Sequence, residues 1–569
     1  MKTLIIGGVA GGATAAARLR RLDEQAKIVI IERTGYVSYA NCGLPYYVGE
    51  VITDKRKLTL QSPESFRNRF NIDVRVRQEA VKINREAKTV LIRNLENGAE
   101  YEESYDSLIL SPGAQAVKPN LPGIDDRRIL TLRTVEDTFA MKQRADELAE
   151  QGRKRAVVIG GGFIGMEAAE NLIERGFDVT LLQRGNHVMP TLDYDMACEV
   201  HAYAREHGLD VRLNQNVNGF VADEEADELT VTTASGCKYC TPLVVLAIGV
   251  TPETHLAEEA GLELGVKKSI VVDEHMRTSD PAIFAVGDAV QVKNSVTGDD
   301  ALISLAGPAN KQGRIAADVI CGRNSSFDGS LGSSVLKLFD MTIAATGLTE
   351  SAAQRAGIAC DKVITSSPSH ATYYPGASNM TVKTLFEPET GRILGAQIVG
   401  FEGADKRIDV LATAIHAHMT SADLEELDLA YAPPYSSAKD PVNMAGFVIE
   451  NIRAGLVAQH HWSDVARLQQ EGSQLLDVRT ESEFLRGHIE SAVNIPLDEL
   501  RGRLKELDPK RTVYVNCHSG LRSYVACRML AGHGLACSNL SGGYRFYALV
   551  QNDAAFDETP THPCGVPAV

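Results

Sequence analysis

The hydrophobic pattern at the start of the chain changes character twice. KTLIIGG is an unbroken apolar run closed by glycines. AGGATAAARLRRL interleaves small and apolar residues with arginines, and KIVIIER is again a short apolar run, ending at Glu32. Short apolar runs bounded by glycine predict buried strands, and the middle segment predicts a helix. The same order returns in RAVVIGGGFIGMEAAENLIERG and FDVTLLQRG. LILSPGA (with Ser111 to Gly113), LAIGVTP (Leu246 to Pro252) and TSDPAIFAVGDA (Thr278 to Ala289) each predict a strand running into a small-residue turn. AGFVIENIRAGLVAQHHW reads as a helical exit and linker. A new strand–helix pattern then starts in QLLDVRTESEFLRGHIESAVNIPLDEL and TVYVNCHSGLRSYVACRML.

The two glycine turns carry a chemical expectation. A glycine-rich turn lets the backbone approach a pyrophosphate, which the following helix N-terminus stabilises. An acid ending the second strand accepts hydrogen bonds from a ribose hydroxyl. In the first turn Gly7 and Gly12 fill the first and third glycine positions, but Val9 stands at the second. The second turn is complete, with Gly160, Gly162 and Gly165. One such turn fits a nucleotide-free doubly wound domain. Two in one chain point to two dinucleotides and electron transfer between them.

Composition narrows the class. The 569 residues are too many for one core and imply about three or four domains. A 44% apolar chain with 48 glycines and a net charge of -16 fits an α/β protein, and argues against nucleic acid or an anionic membrane as partner. No charged segment followed by an apolar run opens the chain, and no apolar stretch approaches the roughly 20 residues that span a bilayer, so a cytoplasmic location is expected. The 10 cysteines are scattered and read as reduced thiols. Cys237 and Cys240 form the only CxxC pair, without a second pair at zinc spacing, and no metal is expected there. Cys198, Cys321 and Cys360 read as small buried hydrophobes.

Over residues 1 to about 445 these segments resemble the two-dinucleotide-binding flavoprotein disulfide reductases. The resemblance implies two Rossmann-like domains, an FAD-binding domain at 1–112 and 246–324 and an NAD(P)H-binding domain at 113–245. An α+β dimerisation domain at 325–445 would make the chain a homodimer. It places FAD at Gly7, Ala10, Gly11, Gly12, Glu32, Arg33, Asn41, Cys42, Val81, Ser111, Gly113, Gly287, Asp288 and Ala306. It places NADH or NADPH at Gly160, Gly162, Phe163, Ile164, Gly165, Glu167, Gln183, Arg184 and Gly249, with Phe163 standing between nicotinamide and flavin. Gln183 suits a ribose hydroxyl and Arg184 a 2′-phosphate; the balance leans to NADH.

The segment SYANCGLPYYVG carries one cysteine, Cys42, where disulfide-exchanging flavoenzymes usually carry two. A thiolate beside a flavin can exchange electrons with it. The pattern S-x-x-N-C-G-x-P-Y resembles the coenzyme A-disulfide reductases, a branch with a single active-site cysteine whose second sulfur comes from the substrate. In that branch Ser38 and Asn41 line the thiol site, and a CoA nucleotide lies near Arg18 and Arg21, which the helix sets three apart on one face. Tyr431 and Tyr435, in YAPPYSSAKDP, match the segment that reaches the partner's active site and could protonate the leaving sulfur. Tyr373 and Tyr374 are further candidates, Tyr373 at CoA. Peroxidases of a neighbouring branch have a histidine where Ala10 stands, which argues against peroxide as substrate and leaves a slow oxidase side reaction.

After a linker at 446–462, the stretch from about 460 to 555, within a domain drawn at 463–569, resembles a rhodanese. Cys517 opens the loop CHSGLR, in which His518, Ser519, Gly520 and Leu521 shape the pocket and Arg522 begins a helix. Such a loop turns backbone N–H groups toward the sulfur and stabilises thiolate and persulfide. Asp477 and Arg479 brace the fold, Cys527 packs in the core, and Cys537 and Cys564 are possible sulfur-exchange partners of Cys517. Together the residues imply an NAD(P)H-dependent flavoprotein reductase of CoA persulfide, polysulfide or disulfide with a sulfur-transferring domain. The alternatives are a CoA-disulfide reductase proper, or a sulfur carrier or sensor serving a protein acceptor.

Overall fold

The computed structural model of the protein describes residues 1–556. They form two compact units, one of residues 1–186 and 208–332 and one of 187–207 and 333–556.

The first unit holds two parallel sheets, each of five strands. In the first the order is Ile283–Ala285, Ser107–Leu110, Lys2–Ile6, Lys27–Glu32 and Asp73–Val76. Leu4, Ile5, Val29, Ile30, Leu108 and Ile109 are fully enclosed, which is why these strands read as unbroken apolar runs. Each such side chain contributes about 1.5–3 kcal/mol by leaving water. The helices Ala10–Leu22 and Ala306–Ile320 cover one face. Small residues let them approach closely: a Cβ on Gly313 would stand 2.3 Å from the Gly11 carbonyl oxygen.

The second sheet runs Asp210–Arg212, Asp178–Leu182, Arg155–Ile159, Val244–Leu246 and Ile129–Leu130, with the helix Phe163–Glu174 after its first glycine turn. The two sheets repeat one register: Ile6 pairs with Ile31, and Ile159 with Leu182. The next positions, Gly7 with Glu32 and Gly160 with Gln183, are therefore equivalent. Three-stranded antiparallel sheets at Gln78–Ser104 and Val217–Thr241 flank these domains. Val81 sits at a bulge in the strand Gln78–Asn84.

The second unit contains a five-stranded antiparallel sheet, in the order Ser334–Leu338, Met341–Gly347, Ile393–Gly400, Asn379–Phe386 and Asp361–Pro368. It also contains a parallel sheet in the order Ala458–His460, Cys537–Leu540, Val513–Asn516, Gln474–Asp477 and Val493–Asn494. The helix Tyr194–Glu206, expected inside the 113–245 domain, clusters here. Its charges explain why. Fully buried Lys383 is 2.7 Å from Asp195 and 3.0 Å from Asp193, and it also meets Glu350. Trp462 donates to Asp195 at 3.2 Å. Asp553, on the helix Gly543–Ala554, accepts from Arg205 at 2.7 Å and bonds His201 at 3.1 Å.

Among the described residues no helix is long and apolar enough to cross a membrane. Cys237 and Cys240 turn to different neighbours, Ser235 at 3.2 Å and Thr230 at 3.4 Å, so the CxxC spacing makes no pair. Cys198 is buried as expected, but Cys321 and Cys360 are only half-buried. Cys321 caps the helix Ala306–Ile320, and Cys360 precedes the strand Asp361–Pro368, positions at element ends where the core thins.

Candidate active site

The segment around Cys42 is folded back onto the first glycine turn. Ser38 adopts a left-handed conformation, φ 48°, and its N–H donates to the Gly8 carbonyl at 2.8 Å. The chain then makes the short turn Asn41–Gly43 and the helix Leu44–Val48, started by Pro45. This leaves Cys42 exposed on the turn. With its amide turned so that both ends are satisfied, Asn41 donates to the Arg133 carbonyl and accepts from its guanidinium, each at 3.0 Å. Arg133 also donates to the Ala114 carbonyl at 2.9 Å and to Asp288 at 2.8 Å. One arginine thus ties the cysteine turn to the loops after two strands of the first sheet. Sequence reasoning missed Arg133; it lies in a turn with no motif to mark it.

Glu167, one turn into the second glycine helix, faces the same region. Tyr46 donates to it at 3.5 Å. Burial, reinforced by the neighbouring charge of Glu170, pushes its carboxyl up to about 7. Although Cys42 is open to solvent on one side, partial desolvation by the packed turn pushes its thiol above the usual range, with the negative charges of Glu167 and Asp288 adding to it and Arg133 opposing them. A cation or an electron-poor ring beside Cys42 would be needed to favour its thiolate.

The two glycine turns are built alike. A Cβ on Gly12 would stand 1.9 Å from the Gly7 carbonyl oxygen, and one on Gly165 1.8 Å from that of Gly160. Gly11 is held close to Val286 and Ser111. Gly162, at the start of the helix Phe163–Glu174, has nothing within 4 Å of its Cβ position, an open cradle at a helix N-terminus. Buried Glu32 accepts from the Gly8 N–H at 2.9 Å, and Gln183 does the same for Gly161 at 3.0 Å. Gly113, Gly249 and Gly287 all have positive φ. Ala10 opens the first helix, Ala306 opens Ala306–Ile320, and Phe163 and Ile164 are half-buried in the first turn of their helix. Arg33 and Arg184 are exposed.

The arginine pair on the first helix is less available than its spacing suggests. Arg18 donates from Nε to Asp318 at 2.7 Å, because close packing of the two helices brings that carboxylate alongside. Arg21 is exposed. A phosphate there would share Arg18 with Asp318. In the second unit, Tyr373 and Tyr431 meet through their hydroxyls at 2.8 Å. Tyr431 and Tyr435 line a cleft of about 470 Å³ with Glu402, Lys406 and Arg407.

The second cysteine is enclosed. Cys517 follows the strand Val513–Asn516, and Gly520, φ 105°, turns its N–H onto the sulfur at 3.1 Å before the helix Leu521–Gly532 begins. Ser523 donates its hydroxyl to the same sulfur at 3.2 Å. Among the described residues the donors within hydrogen-bond distance of Cys517 are thus one backbone N–H and one hydroxyl, rather than a run of N–H groups. Ser523 could have been suspected from its place in the first turn of a helix that opens on a cysteine loop. Arg522 binds Glu483 through two hydrogen bonds, at 2.7 and 2.8 Å. Asp477 and Arg479 form a buried pair at 2.7 Å, with Arg479 4.0 Å from the Tyr544 ring centre. Cys527 is in the core, and the Cys537 sulfur donates to its carbonyl at 3.2 Å. Cys564 lies outside the described residues.

The profile of the pyridine nucleotide-disulphide oxidoreductases matches residues 1–313, and that of their dimerisation domain residues 333–441. The chain belongs to the pyridine nucleotide-disulphide oxidoreductase family. A rhodanese-like domain matches residues 462–548, so the oxidoreductase is joined to a rhodanese. Among curated relatives, coenzyme A disulfide reductase of Staphylococcus aureus is 35% identical over 449 residues, 78% of this chain and 99% of that protein. Among solved structures, reduced CoADR-RHD of Bacillus anthracis shares 47% identity with a TM-score of 0.94, over 97% of this chain and 98% of that one. A NAD-dependent persulfide reductase from A. fulgidus shares 39% identity with a TM-score of 0.90, over 96% and 100%. Both span the oxidoreductase and rhodanese parts together.

Proposed function

We propose that the protein is an NAD(P)H-dependent flavoprotein reductase of coenzyme A persulfide, polysulfide and disulfide that releases hydrosulfide, working as a homodimer with a sulfur-transferring rhodanese domain. One observation carries this reading. Cys42 is exposed on a turn tied through Asn41 and Arg133 to Asp288, and its charge environment includes Glu167 of the second nucleotide turn. A solitary sulfur therefore lies where the two dinucleotide folds converge.

The residues fit FAD. Glu32 is buried at a strand end with its carboxylate toward the glycine turn, and Gly7, Gly113 and Gly287 hold conformations in which no side chain blocks the backbone. Gly11, Gly12, Ala10, Arg33, Asn41, Val81, Ser111, Asp288 and Ala306 complete its binding set. FAD, when bound, supplies a two-electron relay between nicotinamide and sulfur. Gly160, Gly162 and Gly165 shape the NAD(P)H turn, with Phe163, Ile164, Glu167 and Gly249 near the nicotinamide end. Gln183 occupies the register position of Glu32 and already bonds the turn, which supports NADH over NADPH.

In the sulfur step the Cys42 thiolate attacks the terminal sulfur of CoA–S–SH. The S–S bond breaks, CoA thiolate leaves, and Cys42 holds the persulfide. Two electrons then cleave Cys42–S–SH to Cys42 thiolate and hydrosulfide. Glu167, titrating near neutrality, can hold the proton that the thiol gives up. Arg18 and Arg21 would meet CoA phosphates, with Ser38 and Tyr373 toward its thiol arm. Tyr431 and Tyr435 would protonate the leaving sulfur.

Stopped-flow turnover of Cys42→Ser with CoA persulfide tests the step; turnover at the unaltered rate refutes it. Cys517→Ser should spare CoA persulfide reduction and lose activity with donors that need sulfur transfer. The second reading, a CoA-disulfide reductase proper, is favoured by the Staphylococcus aureus relative. It requires a higher kcat/KM on CoA disulfide than on CoA persulfide.

A further inference from the structure

The segment that leaves the strand Asp178–Leu182 is fastened at both of its ends. At its start the Gln183 N–H donates to the Arg212 carbonyl and the Gln215 N–H to the Gln183 carbonyl, each at 2.9 Å, and the Asn214 N–H donates to the Gly185 carbonyl at 3.0 Å. The chain then passes from the first unit to the second between Asn186 and His187. At its end Val188, completely buried, donates its N–H to Nε2 of His201 at 3.1 Å. A backbone N–H can only donate, so Nε2 carries no proton and the ring's proton is on Nδ1, which gives it to Asp553 at 3.1 Å. His201 is itself completely buried. Burial holds it below the ordinary histidine range against the pull of Asp553, so the ring is neutral and makes both bonds at once. Asp553 belongs to the helix Gly543–Ala554, with which the rhodanese part ends, and Arg205 at 2.7 Å and the Tyr194 hydroxyl at 3.2 Å hold its carboxylate in place.

We infer that Asp553 and His201 are positioning residues for the coenzyme: the last helix of the rhodanese part, through one neutral imidazole, fixes the far end of the segment whose near end meets the adenosine ribose of NAD(P)H. The inference rests on the reading of Gln183 and Arg184 as the ribose contacts. Val188 stands four positions after Arg184 and five after Gln183, too few residues for one end to move without the other.

Neither positioning residue touches the coenzyme. Their effect is on the population of the segment that is ready to bind. With Val188 released, part of that population turns Gln183 and Arg184 away from the ribose, and apparent affinity falls by the fraction lost. One neutral hydrogen bond is equivalent to about a three- to tenfold change in such an equilibrium. Hydride transfer takes place at the other end of the coenzyme, assigned to Phe163, Ile164 and Glu167 on a different element, so the rate at saturation should not follow.

The test uses the full-length holoenzyme and two readouts. Calorimetric titration with ADP-ribose, which carries the adenosine ribose without the nicotinamide, gives Kd. Stopped-flow bleaching of the flavin at increasing NADH gives a half-saturating concentration and a limiting rate with no sulfur substrate present. His201→Leu, which leaves Asp553 with Arg205 and Tyr194, should raise Kd and the half-saturating concentration about three- to tenfold and keep the limiting rate within about twofold. Asp553→Ala should do the same, and Asp553→Asn, which keeps an oxygen for the His201 N–H, should recover most of the affinity. Arg545→Met is the control. It breaks the contacts of the same helix with Glu199, at 2.9 Å, and Thr381, and should leave coenzyme binding unchanged. If Asp553→Ala does not fold, His201→Leu decides alone. Unchanged binding in His201→Leu, or an equal loss in Arg545→Met, overturns the inference. If Gln183→Ala also leaves binding unchanged, the reading of the ribose contacts falls with it; if Gln183→Ala weakens binding while His201→Leu does not, that reading stands and only the inference falls.

Discussion

Removing the Ser523 hydroxyl should slow sulfur uptake by Cys517 far more than it loosens the fold. The hydroxyl lies 3.2 Å from the Cys517 sulfur and 3.1 Å from the Gly520 carbonyl, and has one proton for the two. A neutral thiol competes weakly for that proton, so it goes to the carbonyl. An anionic sulfur draws it over. Substitution by alanine therefore costs mainly the charged state. A hydrogen bond to a charged group contributes about 1.5–3 kcal/mol, equivalent to a rate loss of roughly 10- to 150-fold. Ser523 is completely buried, but the deleted atom is one oxygen, and the Gly520 N–H remains on the sulfur. The assay is alkylation of Cys517 by iodoacetamide at neutral pH, read by peptide mass, beside thermal unfolding of the same samples. Ser523→Thr, which keeps the hydroxyl, should restore most of the rate. A loss below about threefold in Ser523→Ala with an unchanged melting profile would refute the reasoning, since no hydrogen bond to an anion is worth so little.

Glu167 should make the first unit less stable as pH rises. Its carboxyl moves from 4.5 to about 7 on folding, so the native chain keeps a proton that the unfolded chain releases. Stability from this group is complete below pH 4.5, falls between 4.5 and 7 by about 3 kcal/mol, and is flat above. Denaturation of Glu167→Gln at pH 5 and pH 8 should lack that fall; an identical pH dependence would refute it. Gly162→Ala should leave the melting temperature unchanged, because nothing lies within 4 Å of the added methyl, yet raise KM for NADH at least about tenfold by filling the pyrophosphate cradle. Gly165→Ala, 1.8 Å from the Gly160 carbonyl oxygen, should instead lower the melting temperature. Lys383→Met leaves Asp193 and Asp195 buried without their cation and should cost roughly 3–5 kcal/mol in the second unit, measured by urea unfolding.

Much of this arrangement can be read in the chain. Glycine-closed apolar runs announce both parallel sheets of the first unit because strands buried on both faces cannot alternate. Gly7, Gly12, Gly160 and Gly165 are marked because no other residue fits so near a carbonyl. Cys42 and Cys517 stand out because each opens a helix or turn directly after a strand and its loop. What was not legible depends on residues far apart in sequence. Arg133 acts on Asn41 and Asp288, Ser523 acts through a helix turn onto Cys517, and Asp318 claims Arg18 from the opposite helix. No local pattern encodes those partnerships. The bounds 113–245 expected for the NAD(P)H-binding domain enclose the helix Tyr194–Glu206, and its charges, paired with Lys383, Asp553 and Arg545, reveal that it belongs with the second unit.

The most direct test of the central claim is the mass of the Cys42 peptide after one equivalent of CoA persulfide is added without NAD(P)H and the mixture is acid-quenched. Attack on the terminal sulfur should leave Cys42 heavier by one sulfur atom, with one free CoA released per subunit. An unmodified Cys42, or one carrying the whole CoA moiety with hydrosulfide released instead, would contradict it.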